Sequence, residues 1–224
     1  NVGITSEAAL TALIEQKRET GVFLSVLGFG SGNLKDNKLE ALADHGNGNY
    51  AYIDGILEAR KVLVNELGAT FHTVCRDVKL QVEFNPAVVK GYRLIGYENR
   101  LLAAEDFSDD TKDGGEMGSG HTVVALYEVI PVGSEFAIPD AERTDSSTEA
   151  IDSGDLATVA VRYKRPDADE SVLVQQSVES GALEVSAFPD DWQYNLKLAC
   201  AVTEVGMLLR DSEYSGTSSY DEAL

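Results

Sequence analysis

The chain has 224 residues, 43% hydrophobic and 25% charged, with 20 Gly and 5 Pro, a composition that excludes wholesale disorder, collagen and low complexity. Its 18 Lys and Arg stand against 38 Asp and Glu, and a net charge of −20 repels phosphate, making nucleic acid and anionic lipid poor partners. No apolar run approaches the ~20 residues of a membrane-spanning helix. Cys75 and Cys200 stand outside any CxxC pair and read as buried free thiols, with a disulfide between them as the alternative.

The sequence opens at Asn1-Val2-Gly3 without an initiator Met, so processing or truncation is expected to have removed what came before. Thr5 or Ser6 can cap a helix that carries Leu10, Leu13 and Ile14 on one face and ends at Gly21. Val22 to Leu27, apolar except for Ser25, suits a strand buried on both faces. Asp36 is placed to cap a helix with Leu39, Leu42 and Ala43 inward. Tyr50 to Ile53 reads as a short strand, and Asp54 as the cap of a third helix with Ile56, Leu63 and Leu67 on one face, ended by Gly68. This is the rhythm of a doubly wound parallel sheet. Two strands are too few to cover three helices, so residues 1–68 are expected to be the second half of an α/β domain.

From residue 69 the period becomes two. Val78, Leu80, Val82 and Phe84 are expected to face a core while Lys79, Gln81 and Glu83 face water. Further strands are expected at Val88–Tyr97, Thr122–Ile130, Leu156–Lys164 and Ser171–Val178, which together suggest an antiparallel β-sandwich. A long helix follows from Pro189 and Asp190, apolar nearly all round through Trp192, Leu196, Leu198, Ala199, Val202 and Leu209, and is expected to be buried on two sides. The fold class is α+β, with a partial doubly wound α/β domain over 1–68 and a β-sandwich-like domain with a long buried C-terminal helix over 69–224.

Val22–Gly30, Leu39–Asp44 and Gly46–Ile53 resemble the late strands and helices of a von Willebrand factor type A domain. Asp77–Pro86, Tyr92–Arg100, Glu105-Asp106-Phe107, Gly120-His121, Ala125–Glu128 and Leu209–Ser212 resemble the C-terminal domain of unknown function of a bacterial von Willebrand A-domain family. The resemblance implies protein–protein interaction in the bacterial cell envelope or periplasm, through Mg²⁺ held by an Asp-x-Ser-x-Ser signature. That signature is missing: Asp106-Phe107-Ser108-Asp109-Asp110 has Asp at its fifth position, and Asp145-Ser146-Ser147-Thr148-Glu149 fails at its last serine position, which is Glu149. No family metal ligand can therefore be carried onto this chain. No cofactor is expected within it, and Mg²⁺ is expected only for an intact upstream A domain. The partner is expected to be a protein, or the other half of the domain, or a second copy joined through an exposed sheet edge.

The remaining motifs carry little chemistry. Gly28-Phe29-Gly30-Ser31-Gly32-Asn33 lacks the last Gly or Ala of a dinucleotide fingerprint and reads as a tight turn. Gly46-Asn47-Gly48-Asn49 reads as a turn using positive φ. Glu105 to Glu116 reads as a solvated acidic loop, with Asp106, Asp109, Asp110, Asp113 and Glu116 as a weak cation candidate; an EF-hand register fails at Gly120. His45, His72 and His121 fit no zinc spacing, and no Gly-x-Ser-x-Gly elbow occurs, so no enzyme is expected. Arg93, Glu98 and Arg100 read as ion-pair residues on a wet strand face. The alternative function is a glycan-binding β-sandwich module using Tyr92, Tyr97, Tyr127 and Tyr163.

Overall fold

The computed structural model describes residues 6–32, 34–97, 101–136, 142–143, 154–183 and 189–223. The fold is α+β. It divides into two compact units, each assembled from separated stretches: Asn1–Lys79 with Glu105–Val123 and Arg162–Leu173, and Leu80–Ala104 with Val124–Val161 and Val174–Leu224.

The first unit begins with α1 (Glu7–Arg18), which Ser6 caps by accepting the Ala9 N–H at 3.3 Å. Glu7 in its first turn and Lys17 and Arg18 in its last complement the helix dipole, and Ile14 is its buried residue. Then come β1 (Val26–Phe29), α2 (Asp36–His45) and β2 (Tyr50–Ile53). β1 and β2 pair in parallel, with Val26 opposite Tyr50 and Phe29 opposite Ile53. Gly30 and Gly32, at φ +83° and +125°, form the turn after β1; Asn33 lies outside the described residues.

The predicted strand Val22–Leu27 is corrected to Val26–Phe29. It is not buried on both faces: Phe29 at its end is exposed, and Val22 lies ahead of the strand and is exposed too. Asp36 is not a cap. It is the first residue of α2, and its carboxylate accepts instead from the Tyr50 hydroxyl. Asp54 is not a cap either. The helix starts after Gly55 as α3 (Ile56–Arg60), opens into a π-turn at Lys61–Asn65, and resumes as α4 (Leu67–Phe71). The wider turn breaks the 100° register that would align Ile56, Leu63 and Leu67, and all three are exposed while Val62 is buried.

The longer strands are β3 (Thr73–Phe84), β8 (Asp155–Lys164) and β9 (Ser171–Glu179). With β5 (Gly115–Gly118) they form one sheet in the order β5–β3–β8–β9. A three-stranded sheet lies in unit two, where β4 (Val89–Ile95) sits between β6 (Leu126–Pro131) and β7 (Glu142–Arg143), antiparallel to both.

The alternation along β3 needs one correction. Lys79 is only 4% exposed and Leu80 is 44% exposed. The Lys79 ammonium is roofed by the 105–109 turn, donating to the Asp109 carbonyl at 2.5 Å and the Asp106 carbonyl at 3.2 Å. Those carbonyls replace the water the charge would otherwise need. Leu80, Val82 and Phe84 do share a face, lining an open apolar cavity of about 350 Å³ with Tyr127, Leu156 and Val159.

The C-terminal helix forms as α5 (Asp190–Leu209), followed by α6 (Tyr220–Ala223). Its predicted burial is corrected: none of its residues is buried, and Trp192, Tyr194, Leu198, Val202 and Leu209 are exposed. Its second half is anchored. Arg93 lies against Met207 Sδ at 4.0 Å and 3.9 Å from the Tyr214 ring centroid. Cys75 is half-buried and Cys200 exposed, both free, so the expected burial of two thiols is corrected as well.

Candidate functional site

The most elaborate polar arrangement in the first unit starts from an irregularity in β3. Its pairing with β5 sets Thr73 opposite Gly118, Cys75 opposite Met117 and Val78 opposite Gly115, with a register shift between Cys75 and Val78. The extra residue bulges the strand, and Asp77 takes φ +50°. A short polar side chain tolerates that conformation better than most. Gly114 makes the bulge possible, since a Cβ there would come within 2.7 Å of the Asp77 carbonyl carbon. Its N–H donates to Asp77 Oδ1 at 3.3 Å.

Asp77, Asp113 and Glu116 meet at this bulge, with an oxygen from each within 4.8 Å of the others. Four further side chains reach them. Lys164, at the end of β8, pairs with Asp77 at 2.8 Å, with both side chains largely buried. Arg18, closing α1, donates to Asp113 at 2.9 Å and to Asn47 Oδ1 at 3.2 Å. Asn47, in the turn before β2 at φ +50°, donates through Nδ2 to Glu116 Oε1 at 2.5 Å. Arg76, on β3, donates to the Ala168 carbonyl at 2.9 Å and adds positive charge beside Glu116.

The charges explain the titration of the three acids. Burial pushes Asp77 up, but the Lys164 ammonium and the Gly114 N–H outweigh it and hold the carboxyl below its usual range. Asp113 is raised by burial and by the Asp77 charge, against the pull of Arg18. Glu116 is raised to about 8, first by burial and then by the negative charges of Asp113 and Asp77. Asp77 with Lys164 and Asp113 with Arg18 form two ion pairs. Glu116 is the odd acid, and a bound proton leaves it neutral. The cluster is an ion-pair and hydrogen-bond network in which Lys164 and Arg18 meet the charges of Asp77 and Asp113, and its three carboxylates are close enough together to hold a cation.

Of the predicted cation candidates, Asp113 and Glu116 enter this cluster. The other three are engaged elsewhere: Asp106 pairs with Lys112 at 3.3 Å, Asp109 accepts the Thr111 N–H at 2.9 Å and hydroxyl at 2.7 Å, and Asp110 accepts from Ser171 N–H at 3.3 Å and Arg162 at 3.4 Å. Sequence reasoning missed Asp77, Arg18, Asn47 and Lys164 as members. The one available signal was Asn47 in its Gly-Asn-Gly turn. β5 was also missed, because Gly-Glu-Met-Gly carries no alternation.

The other candidates fall in ordinary roles. His45 Nδ1 lies 3.0 Å from Glu15. Arg93 pairs with Glu128 at 2.6 Å, while Glu98 and Arg100 lie outside the described residues. The Asp145–Glu149 motif lies outside them too. Phe84 packs against Tyr92 and Tyr127 at centroid distances of 4.7 and 5.5 Å, and Tyr97 donates to the Val124 carbonyl at 3.3 Å. Tyr92 and Tyr127 are therefore engaged with their own neighbours.

These features define a mixed α+β protein with a two-stranded parallel sheet in one unit and antiparallel pairing in both. Residues 69–224 match the family model described as "Uncharacterized protein YfbK, C-terminal", and the chain belongs to that family, a domain of unknown function. The chain is similar to the protein named "Uncharacterized protein YfbK" of Escherichia coli strain K12, with 36% identity over 228 residues, covering 99% of this chain and 38% of that relative. The chain thus spans well under half the length of the relative it matches. No solved structure matches it. Among the described residues, no helix is long and apolar enough to cross a membrane.

Proposed function

We propose that the chain is a non-enzymatic protein-interaction or scaffold module of a bacterial von Willebrand A-domain protein of the cell envelope. Residues 1–68 supply the late part of the A domain, and residues 69–224 its sandwich-like C-terminal module. No metal-ion-dependent adhesion site belongs to these residues, and Mg²⁺ acts only in the remainder of an intact A domain. The observation that carries the reading is the edge of β1 that has no strand partner among the described residues. β1 pairs with β2 along one side. Parallel pairing that sends the Val26 N–H toward the Asn49 carbonyl turns the Leu27 and Phe29 N–H groups the other way. Phe29, the last residue of β1, is 59% exposed, and Val22, ahead of the strand, is 58% exposed. An apolar strand with an open row of backbone groups is a template for another strand. The similarity to a relative of much greater length supports a continuation of the sheet from outside these residues.

Mixing this chain with the part of the E. coli relative that lies outside the aligned 228 residues tests the proposal. Native mass spectrometry is expected to show a one-to-one complex. Two non-interacting monomers at tens of micromolar would count against it.

A further inference from the structure

We propose that the outer edge of β9 is a self-pairing surface: two copies of the chain join antiparallel through Val174–Val178, about a two-fold axis at Gln176. This inference does not depend on the function proposed above, which concerns β1.

β9 ends the order β5–β3–β8–β9, so β8 is its strand partner among the described residues. An end strand presents a row of backbone N–H and C=O groups on its outer side. The other end strands of the two larger sheets are blunted. β5 is four residues long, and Gly118 lies so close to the Ala69 carbonyl of α4 that a Cβ would not fit. β6 ends in Pro131, which has no N–H, and β7 is the two charged residues Glu142 and Arg143. β9 has nine residues, and Ser171 to Val178 holds neither Pro nor charge. In a chain of net charge −20, two copies approach with least repulsion at such a stretch.

The sequence of the edge points to a second copy as its occupant. A two-fold interface sets a strand against its own reverse, so the strand must be self-complementary. Val174-Gln175-Gln176-Ser177-Val178 is. With the axis at Gln176, Val174 lies opposite Val178 of the second copy and Gln176 opposite its counterpart, all on one face; Gln175 lies opposite Ser177 on the other. Val174 is 51% exposed, Gln175, Gln176 and Ser177 are exposed, and Val178 already lines the apolar cavity. In the single chain the Gln176 amide donates to the Ser177 carbonyl beside it at 3.1 Å; across the axis the two Gln176 amides bond each other instead. Glu170 and Glu179 flank the uncharged stretch, and the opposite edge of the sheet is blunted at β5, so association closes as a dimer. Five paired residues a side bury less than the ~1,200 Å² of a stable interface, which makes the dimer weak, with a Kd on the order of 300 µM.

Sedimentation equilibrium of the chain from about 20 µM to about 1 mM, in about 0.3 M NaCl to screen its charge, is expected to show monomer and dimer in exchange. Gln176→Glu sets two carboxylates face to face across the axis and is expected to weaken the dimer at least ~10-fold. In a Cys75→Ser, Cys200→Ser background, Gln176→Cys is expected to form an intermolecular disulfide on oxidation. Opposed residues of an antiparallel pair have Cα atoms about 4.5–5.5 Å apart, within disulfide reach. Val174→Cys in the same background is expected to link at least ~10-fold more slowly, because its counterpart lies four residues along the strand, roughly 13 Å away. Both positions are exposed, so the substitutions leave the fold intact. A monomer at every concentration, an undiminished dimer in Gln176→Glu, or equal linking at the two cysteine positions would overturn the proposal.

Discussion

Asn47 Nδ2 and Glu116 Oε1 meet at 2.5 Å across 69 positions of sequence. This bond joins a turn of the α/β segment to the short strand β5. It orders the acid that the surrounding charges leave unpaired.

Stability should therefore depend on pH. Glu116 has a folded-state pKa of about 8, above the 4.5 of an unhindered glutamate. A raised pKa means its stabilising contribution is complete below about 4.5 and is lost as pH rises toward 8 and beyond. Between pH 5 and 9, urea midpoints of the parent chain should fall by an amount worth on the order of a few kcal/mol. Glu116→Gln should flatten that dependence. Equal slopes for both proteins would remove Glu116 as the cause.

The same charge accounting bears on metal. Asp77 is held by Lys164, Asp113 by Arg18, and Glu116 carries a proton at neutral pH. Calorimetric titration with Mg²⁺ at pH 7 is expected to give a Kd weaker than about 1 mM, since Mg²⁺ dehydrates reluctantly and scattered carboxylates leave most of its waters in place. One micromolar site per chain would contradict this.

Lys79 and Leu80 invert the behaviour their alternation suggests. Lys79 is buried against two carbonyls and Leu80 is 44% exposed. Lys79→Ala should cost roughly 1.5–3 kcal/mol, the range for hydrogen bonds to charged groups. Leu80→Ala should cost less than about 2 kcal/mol, below the range for a fully buried leucine. Chemical denaturation of both variants gives the ordering, and a larger loss for Leu80→Ala would refute the burial of Lys79.

Two glycines of β5 separate packing from propensity. A Cβ on Gly118 would lie 1.7 Å from the Ala69 carbonyl oxygen, whereas one on Gly115 would have the Val78 oxygen at 3.8 Å. Gly118→Ala must displace backbone and should cost at least about 3 kcal/mol, the upper end for overpacking. Gly115→Ala should stay within about 1 kcal/mol. Similar thermal midpoints for the two variants would show that α4 does not press on β5 as described.

The mixture of helices and strands was legible because periodicity switches from helical to twofold near residue 69. Most long strands were found within a few residues for the same reason. Burial was less legible. Apolar positions around α5 carry no information about what covers them, and the π-turn at Lys61–Asn65 leaves no mark in a hydrophobic pattern. The polar cluster was half legible. Asp113 and Glu116 stand in a visibly acidic stretch, but their partners come from α1, the turn before β2, the β3 bulge and the end of β8. Only the fold brings those together.

β1, whose one strand partner among the described residues is β2, is proposed to offer its other edge to a further strand. Amide exchange at Leu27 and Phe29 tests it most directly, measured in this chain alone and after mixing with the remainder of the longer relative. Rapid exchange alone, slowed at least ~100-fold in the mixture, is the expected result. Full protection of both amides in the isolated monomer, unchanged on mixing, would contradict the account.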